Sequence, residues 1–496
     1  MDVMGILQYG VGTLIGFAAL AAFVFFFIRD ITQKKHGVLR NYPVVGRLRY
    51  FFEELGEYFR QYFFAGDRDE MPFNRATRGW VYRLAKNEGG VIGFGSTYDL
   101  HHSGALIFVN HPFPVLEEER LPTPSLTLGE GYARFPFEAR SIVNVSGMSF
   151  GAISAPAVRS LSRGAAVAGC WMDTGEGGLS PYHLEGGCDV IMQIGTAKYG
   201  VRDAQGNLSN DRLVELGKVV KAFEIKLSQG AKPGKGGVLP AKKVTAEISQ
   251  IRGIPEGRDS ISPNRHRDIS NMSELLEMVV RIRDLTGRPV GVKTAVGGWR
   301  FMNDLADAVH RRGLEFAPDF LVIDGGEGGS GAAPQALADH MSLSIDEALP
   351  RVVDALIESG LKQRVRIVAS GKIVTSARAA WALAVGADFV NTARGFMFSL
   401  GCIQALRCHQ NTCPTGVTTH NKRLQRALVV EEKYLRVANY ANGMNREIDM
   451  IAHSCGVRHS RELRREHVRI VQANQQSIAL NMLYPYPEPK ARVRVA

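Results

Sequence analysis

The chain has little cysteine. Six in 496 residues cannot staple a fold of this size, which excludes a disulfide scaffold. It has no surplus of charge or of apolar residues: 22% charged and 45% hydrophobic exclude both disorder and a polytopic membrane protein. It contains no C-x2-C knuckle, no aromatic-interleaved basic stripe and no RNP-like run. The net charge of +11 is therefore not read as a nucleic-acid signature. Long hydrophobic runs are also missing, with a single exception at the N-terminus.

That exception is Ile6 to Ile28, which carries no charge and ends in Phe23-Val24-Phe25-Phe26-Phe27-Ile28. At ~1.5 Å per residue it spans roughly 34 Å, enough to cross a bilayer core. A cleaved signal peptide fits less well, because Asp2 is acidic and no small-residue cleavage site follows. Residues 29–50 then hold Arg29, Lys34, Lys35, Arg40, Arg47 and Arg49 against the single acid Asp30. This asymmetry predicts a single-pass membrane protein with its C-terminal part in the cytoplasm and basic residues against lipid headgroups. The lead-in, 29–140, is expected to carry an amphipathic helix over Tyr50–Phe64 and another from Pro72 through Lys86. Both are expected to pack on the main domain or the membrane surface.

From residue 141 onward, short β-rich runs alternate with helical stretches. The strands are expected at 141–147, 169–174, 190–195, 222–228, 289–295, 320–325, 365–371 and 389–394. Helices are expected at 273–286, 301–313, 344–360 and 375–385, with Ser273 and Ser344 as N-caps. Eight such units predict an α/β fold, a (β/α)8 TIM barrel over 141–420, followed by a helical C-terminal tail, 421–496. The tail places Arg458, Arg461, Arg464 and Arg465 on an exposed face. The stretch 229–272 is too long for a simple loop and reads as a functional insertion over the barrel mouth.

In such a barrel the C-terminal strand ends build the active face. In order they are Ser149, Glu176, Gln193, Lys226, Lys293, Asp324, Gly371 and Arg394. Glycines at 175, 177–178, 325–326, 328–329, 331 and 371 let backbone amides approach a phosphate or a planar ring. No P-loop pattern is met. Gly371-Lys372 and Arg394-Gly395 follow strands seven and eight, where barrels bind phosphate, and a flavin mononucleotide phosphate suits them. Lys293 would then face the flavin ring and stabilise negative charge on it. Cys402, Cys408 and Cys413 gather half of the cysteines into one loop. Three close thiolates suit a [3Fe–4S] cluster. A zinc site with His409 or His420 as fourth ligand is the alternative.

Several ordered passages resemble the FMN-binding synthase domain of the glutamate synthase family. They are Gly147-Met148-Ser149-Phe150-Gly151, Asp173-Thr174-Gly175-Glu176-Gly177-Gly178, Gln229-Gly230-Ala231-Lys232-Pro233-Gly234, Ile251-Arg252-Gly253, Gly328-Gly329-Ser330-Gly331-Ala332 and the cysteine loop through Cys413-Pro414. The resemblance implies FMN, a [3Fe–4S] cluster on Cys402, Cys408 and Cys413, and reduction of 2-iminoglutarate to glutamate. It implies FMN contacts from Met148, Ser149, Gln193, Lys293, Asp324, Gly371, Arg394 and Gly395. Glu176, Lys232 and Arg252 would hold the keto acid, with Glu176 and Lys293 catalytic. Val238 stands where the family has an amide and Lys235 where it has an acid, and both bear on the substrate.

No glutaminase segment is read in the sequence, so ammonia is expected free or from a separate subunit. An electron-transfer partner, ferredoxin-like or a membrane acceptor, completes the expectation. Two alternatives stand beside it. One is an amino-acid or amine dehydrogenase delivering electrons to a quinone. The other is a non-catalytic barrel scaffold within a membrane complex.

Overall fold

The strand sequences are apolar along nearly their whole length, which a sheet covered on both faces requires. In the computed structural model, which describes residues 3–488, they are buried except at Ala295 and Arg366, which are half-buried. They are β1 (Val143–Val145), β2 (Met172–Asp173), β3 (Val190–Ile194), β4 (Ala222–Lys226), β5 (Val290–Ala295), β6 (Phe320–Asp324), β7 (Arg366–Ser370) and β8 (Phe389–Thr392). All eight fall inside the expected ranges. They pair in parallel and close on themselves, β8 meeting β1 through Asn391 and Asn144. The fold is a (β/α)8 barrel.

Residue contacts divide the chain into two units, Met1–Gly79 and Trp80–Ala496. The first holds the apolar helix Val3–Thr32, the amphipathic helix Gly46–Phe59, its π-helical continuation Arg60–Phe64 and the start of helix Arg75–Ala85. The stretch Gly10–Thr32 is long and apolar enough to cross a membrane, by length and composition. The second unit holds the barrel.

The N-terminal mouth of the barrel is filled by aromatic side chains. Trp171, Phe320 and Phe389 stand at or just before the starts of β2, β6 and β8, and pack with Ile191, Val322 and Val368. A two-stranded hairpin, Leu126–Leu128 with Phe137–Ala139, caps this end. Phe137 meets Trp171 edge-on at 6.2 Å, and Trp171 meets Phe389 at 4.9 Å. With that end closed, only the C-terminal mouth is left for a ligand.

The outer helices begin where the expected chemistry places them, with one correction. Ser154, Ser209 and Thr245 each accept a bond from a first-turn amide. For Met272–Thr286 the N-cap is Asn271, not Ser273: its side chain accepts from Glu274 at 3.0 Å. Ser344 does stand at the N-cap of Ile345–Glu358, but its side chain makes no capping bond; the first-turn amide of Ile345 donates to the Glu327 carboxylate at 3.0 Å.

The insertion after β4 folds over the C-terminal mouth as a hairpin, Val238–Leu239 with Ser260–Ile261, plus the helix Ala246–Arg252. The tail begins with the long helix Val430–Ser454. It crosses Ala155–Ala168 closely at Gly164, where a Cβ would come 2.6 Å from the Tyr434 carbonyl. The described part of the tail also contains two strands that the sequence reading missed. Val468–Val471 and Ser477–Ala479 form a three-stranded sheet with Leu106–Phe108. The expected exposed arginine face is also corrected. Arg465 is fully buried and paired with Asp354, and Arg461 reaches in to the Pro124 and Asp388 carbonyls.

Candidate active site

At the C-terminal mouth the polar strand ends converge on one recess. Of the expected residues, Gln193, Lys226, Lys293, Asp324, Gly371, Lys372 and Arg394 line it, together with Gln229 and Asn391. One wall is backbone. Gly371 has φ +115°, and a Cβ there would lie 2.6 Å from the Gly325 amide nitrogen. Gly329 faces the Arg394 guanidinium, 2.9 Å from where its Cβ would be. Side chains are thus excluded from the surface where a large planar or phosphorylated ligand would lie.

The charges in this wall are organised. Asp324 accepts from the Gly230 amide at 2.8 Å and from Ser370 Oγ at 2.9 Å. Arg394 opens the helix after β8 and donates to the Glu327 carbonyl at 2.7 Å. Burial pulls its pKa down to about 10, while Asp324 and Glu327 act to raise it. Gly395 lies outside the recess: its amide donates to Thr392 Oγ1 at 3.3 Å, and its α-carbon abuts the Tyr440 hydroxyl.

The floor holds a cluster that the sequence reading only partly found. Lys293 projects from β5 with its ammonium 3.5 Å from Ser146 Oγ. Burial works against its charge, but Asp324, Glu224, Asp173 and Glu176 outweigh it and hold the pKa above the ordinary value. Gln193 Nε2 donates to both Asp173 Oδ2 (3.2 Å) and Glu224 Oε1 (2.7 Å). Burial lifts both carboxyls, Glu224 to about 8; Asp173 raises Glu224 further, whereas the hydrogen bond from Glu224 acts to lower Asp173. Asp173 and Glu224 were missed because they lie within strands. The usable signal was an acid at an otherwise apolar position, Glu224 between Phe223 and Ile225.

Above the floor stands a second group. Glu176 forms an ion pair with Lys226 at 3.2 Å. Burial opposes its ionisation, but Lys226, Lys232 and Arg252 overcome this and keep it a carboxylate. Lys232, buried in the insertion, donates to the Ala332 carbonyl at 3.3 Å. Burial lowers its pKa, against the pull of Glu176. Arg252, also buried, donates to Ser260 Oγ (3.3 Å), Ser149 Oγ (3.4 Å) and the Phe150 carbonyl (3.3 Å). Its Nε has no partner, so the guanidinium retains a buried donor. Ser149 therefore belongs to the Arg252 side of the site. Met148 is buried beside it, where the 148–149 backbone packs against Gly175.

The cysteine loop follows β8 and the helix Arg394–Leu400. Cys402, Cys408 and Cys413 are all free thiols. Among the described residues, no three His, Cys, Asp or Glu side chains stand close enough together to hold a metal ion. The surroundings favour anionic sulfur at Cys413 and oppose it at Cys408. Lys243 donates to the Cys408 carbonyl at 3.3 Å, and its pKa, lowered to about 8 by burial, is supported by Cys408 and Cys413. Burial opposes the Cys413 thiolate, but bonds from Thr415 and Thr418 hold its pKa below the ordinary thiol value. Burial raises that of Cys408. His420 is engaged by the Gly151 carbonyl at 2.8 Å.

Comparison with known proteins agrees with this geometry. The model for the conserved region in glutamate synthase matches residues 125–458. A "glutamate synthase large subunit-like protein YerD" of Bacillus subtilis is 39% identical, over 92% of this chain and 94% of its own. An "archaeal glutamate synthase [NADPH]" of Methanocaldococcus jannaschii is 37% identical over 68% of this chain, which covers 63% of that relative's length. A Thermotoga maritima "archaeal-type glutamate synthase [NADPH]" is 35% identical over 70% of this chain and 66% of its own. With a barrel, a C-terminal recess and a family match that spans them both, this chain belongs to the glutamate synthase family.

Proposed function

We propose that the chain is a membrane-anchored, FMN- and iron–sulfur-dependent oxidoreductase that converts a 2-oxo acid and ammonia, by way of the 2-imino acid, into the amino acid, with glutamate as the leading product. The observation that carries this reading is the stacking of two groups at one barrel mouth. A glycine-walled recess with Lys293 on its floor and Arg394 and Lys372 at its side lies beneath a carboxylate–cation set of Glu176, Lys226, Lys232 and Arg252.

The recess fits FMN by its donors and its walls. Gly328, Gly329 and Gly371 supply backbone surface; Arg394 and Lys372 supply cations for a phosphate. Lys293 and Gln193 supply polar contacts for a ring edge. Bound there, FMN would supply the hydride. Family membership and the names of the relatives support the substrate class.

The chain's own residues do the rest. Lys232 and Arg252 bind the substrate carboxylates, Arg252 with its unpartnered buried Nε. Glu176, held ionised, orients an ammonia or imine N–H through its oxygens, and Lys226 Nζ at 3.2 Å can pass a proton to the product amine. Lys293, held protonated by the surrounding carboxylates, would offer a positive charge to a bound flavin. The insertion covers this face and limits water. Cys402, Cys408 and Cys413 would hold a [3Fe–4S] cluster, which would supply one-electron transfer with a ferredoxin-like or membrane partner. Ammonia arrives free or from a separate subunit.

The test is purification of the full chain with its flavin and iron content, followed by anaerobic reoxidation of the reduced protein by 2-oxoglutarate with ammonium. Reoxidation dependent on both compounds is expected. Purified protein without flavin or iron overturns the reading. The apolar helix favours one further reading, an amino-acid dehydrogenase feeding a quinone. Glutamate-dependent quinone reduction without keto-acid-dependent reoxidation selects it.

A further inference from the structure

The first unit carries an apolar surface that neither the barrel chemistry nor the anchor uses. Over Gly46–Phe59 and Arg60–Phe64 the apolar side chains recur at three- and four-residue spacing. Leu48, Phe51, Phe52, Phe59, Tyr62 and Phe63 form this face and are 41–74% exposed. The rings of Phe59 and Phe63 lie 5.3 Å apart, which places them side by side. Glu53, Glu54, Glu57 and Arg60 occupy the opposite side. A stripe of this width normally faces a core.

The helix is also fixed to the end of the apolar helix Val3–Thr32. Asp30, 1% exposed, accepts from the Val44 amide at 2.9 Å and from Arg47 Nε at 2.9 Å, with a second bond to Arg47 Nη2. The Arg47 guanidinium stands 4.4 Å from the centre of the Phe26 ring. A bidentate carboxylate–guanidinium pair is geometrically specific, and Gly46 packs where a Cβ would come 3.2 Å from the Val38 carbonyl. The direction in which the second helix leaves the first is therefore set by an elbow. Between them lie Lys34, Lys35 and Arg40, all exposed or half-exposed.

We propose that Gly46–Phe64 lies in the headgroup layer of the bilayer with its apolar face toward the acyl chains, a second membrane contact held to the anchor by the Asp30–Arg47 elbow. The proposal rests on the reading of Val3–Thr32 as a membrane span. The occupant is lipid because the helix is tied to that span through Asp30, Arg47 and Phe26 and is preceded by basic residues, which suit anionic headgroups. Tyrosine rings beside phenylalanine are typical of the interface. The contact would keep the segment leading to the catalytic unit flat against the membrane.

The experiment uses the full chain in phosphatidylcholine–phosphatidylglycerol vesicles. Phe52→Trp, Phe59→Trp, Glu57→Trp and Phe17→Trp are compared, with the parent's fluorescence subtracted for Trp80, Trp171, Trp299 and Trp381. Bromine is placed on the lipid chains either near the headgroup or near the terminal methyl. Trp at 52 and 59 should be quenched about twofold or more by the shallow bromines and less by the deep ones, matching a burial depth of roughly 5–10 Å. Trp at 57 should be open to iodide and insensitive to bromine. Trp at 17 should respond to the deep bromines.

If Trp at 17 is not quenched by lipid, the anchor itself fails, and this proposal with it. If Trp at 17 is quenched while those at 52 and 59 are not, only this proposal is overturned. In that case protection of both from iodide identifies a protein partner instead of lipid. Equal quenching at 57 and 59 also overturns it, because no face is then selected.

Discussion

At the residue scale the site depends on a few atoms. Lys293 is a buried cation in the recess facing Asp173, Glu224 and Asp324. Lys293→Met should lower kcat by about 100-fold, the magnitude typical of losing one preorganised charge partner, while steady-state kinetics and flavin content on the same sample separate chemistry from cofactor loss. Gly371→Ala adds a Cβ against the Gly325 amide at φ +115°. It should destabilise by ~1–3 kcal/mol and lower bound flavin, read by thermal melting and the flavin-to-protein ratio. Glu224 carries the pH signature. Its pKa is raised from 4.5 to about 8, so the folded state keeps a proton that the unfolded chain releases. This contribution to stability is present at low pH and is lost as pH rises toward 8. His183 and His420 act the other way: burial depresses both from 6.5 to about 4. Their contribution is present above pH 6.5 and is lost as pH falls toward 4. The melting temperature of the full chain should therefore decline from pH 6.5 toward pH 8, and Glu224→Gln should flatten that limb and leave the acid limb intact.

At the element scale the barrel is held at the ends of its strands. Asp319, just before β6, is fully buried and binds both Arg283 and Arg364 at 3.0 Å, as well as the Val290 amide at 2.7 Å. It thus ties helix Met272–Thr286 to β5, β6 and the start of β7. Asp319→Ala leaves two buried guanidiniums without their carboxylate and should cost about 3–5 kcal/mol, measured by denaturant unfolding of the barrel. Glu327 does a similar service at the opposite end by capping Ile345–Glu358. Its truncation to Ala should cost about 1 kcal/mol. Both roles were illegible in the sequence, since each acid bonds a partner 18 or more residues away. The strands and most helices were legible, because apolar runs and periodic stripes are local properties. The two strands in the tail were not: they are short, and they exist only because Leu106–Phe108, far upstream, offers an edge to pair with.

At the scale of the whole molecule, two units of different character are joined in one polypeptide. The most apolar window of the N-terminal helix has no buried residue, and by length and composition it could cross a bilayer. The full chain should stay in the membrane fraction after an alkaline wash, assayed by blotting of pellet and supernatant; release into the supernatant would count against a spanning helix. The barrel unit buries its apolar strands on all sides and leaves only the C-terminal mouth open, the bottom being closed by Trp171, Phe137 and Phe389.

The sequence by itself determined the barrel, the apolar N-terminal helix and most of the pocket wall. Strand hydrophobicity, helix period and glycine placement are each written in neighbouring residues, and the polar residue at each strand end needs only the fold's polarity to be read as pocket lining. Gln193, Lys293, Asp324, Gly371 and Arg394 were found in this way. Only the tertiary structure decided the rest. It paired Asp173 with Glu224 beneath Gln193, turned Ser149 toward Arg252, moved Gly395 out of the recess and buried Arg465 against Asp354. Those outcomes depend on which side chains from distant strands face one another inside a closed barrel, and burial of charge between them sets their protonation. Neither is a property of any local stretch of chain.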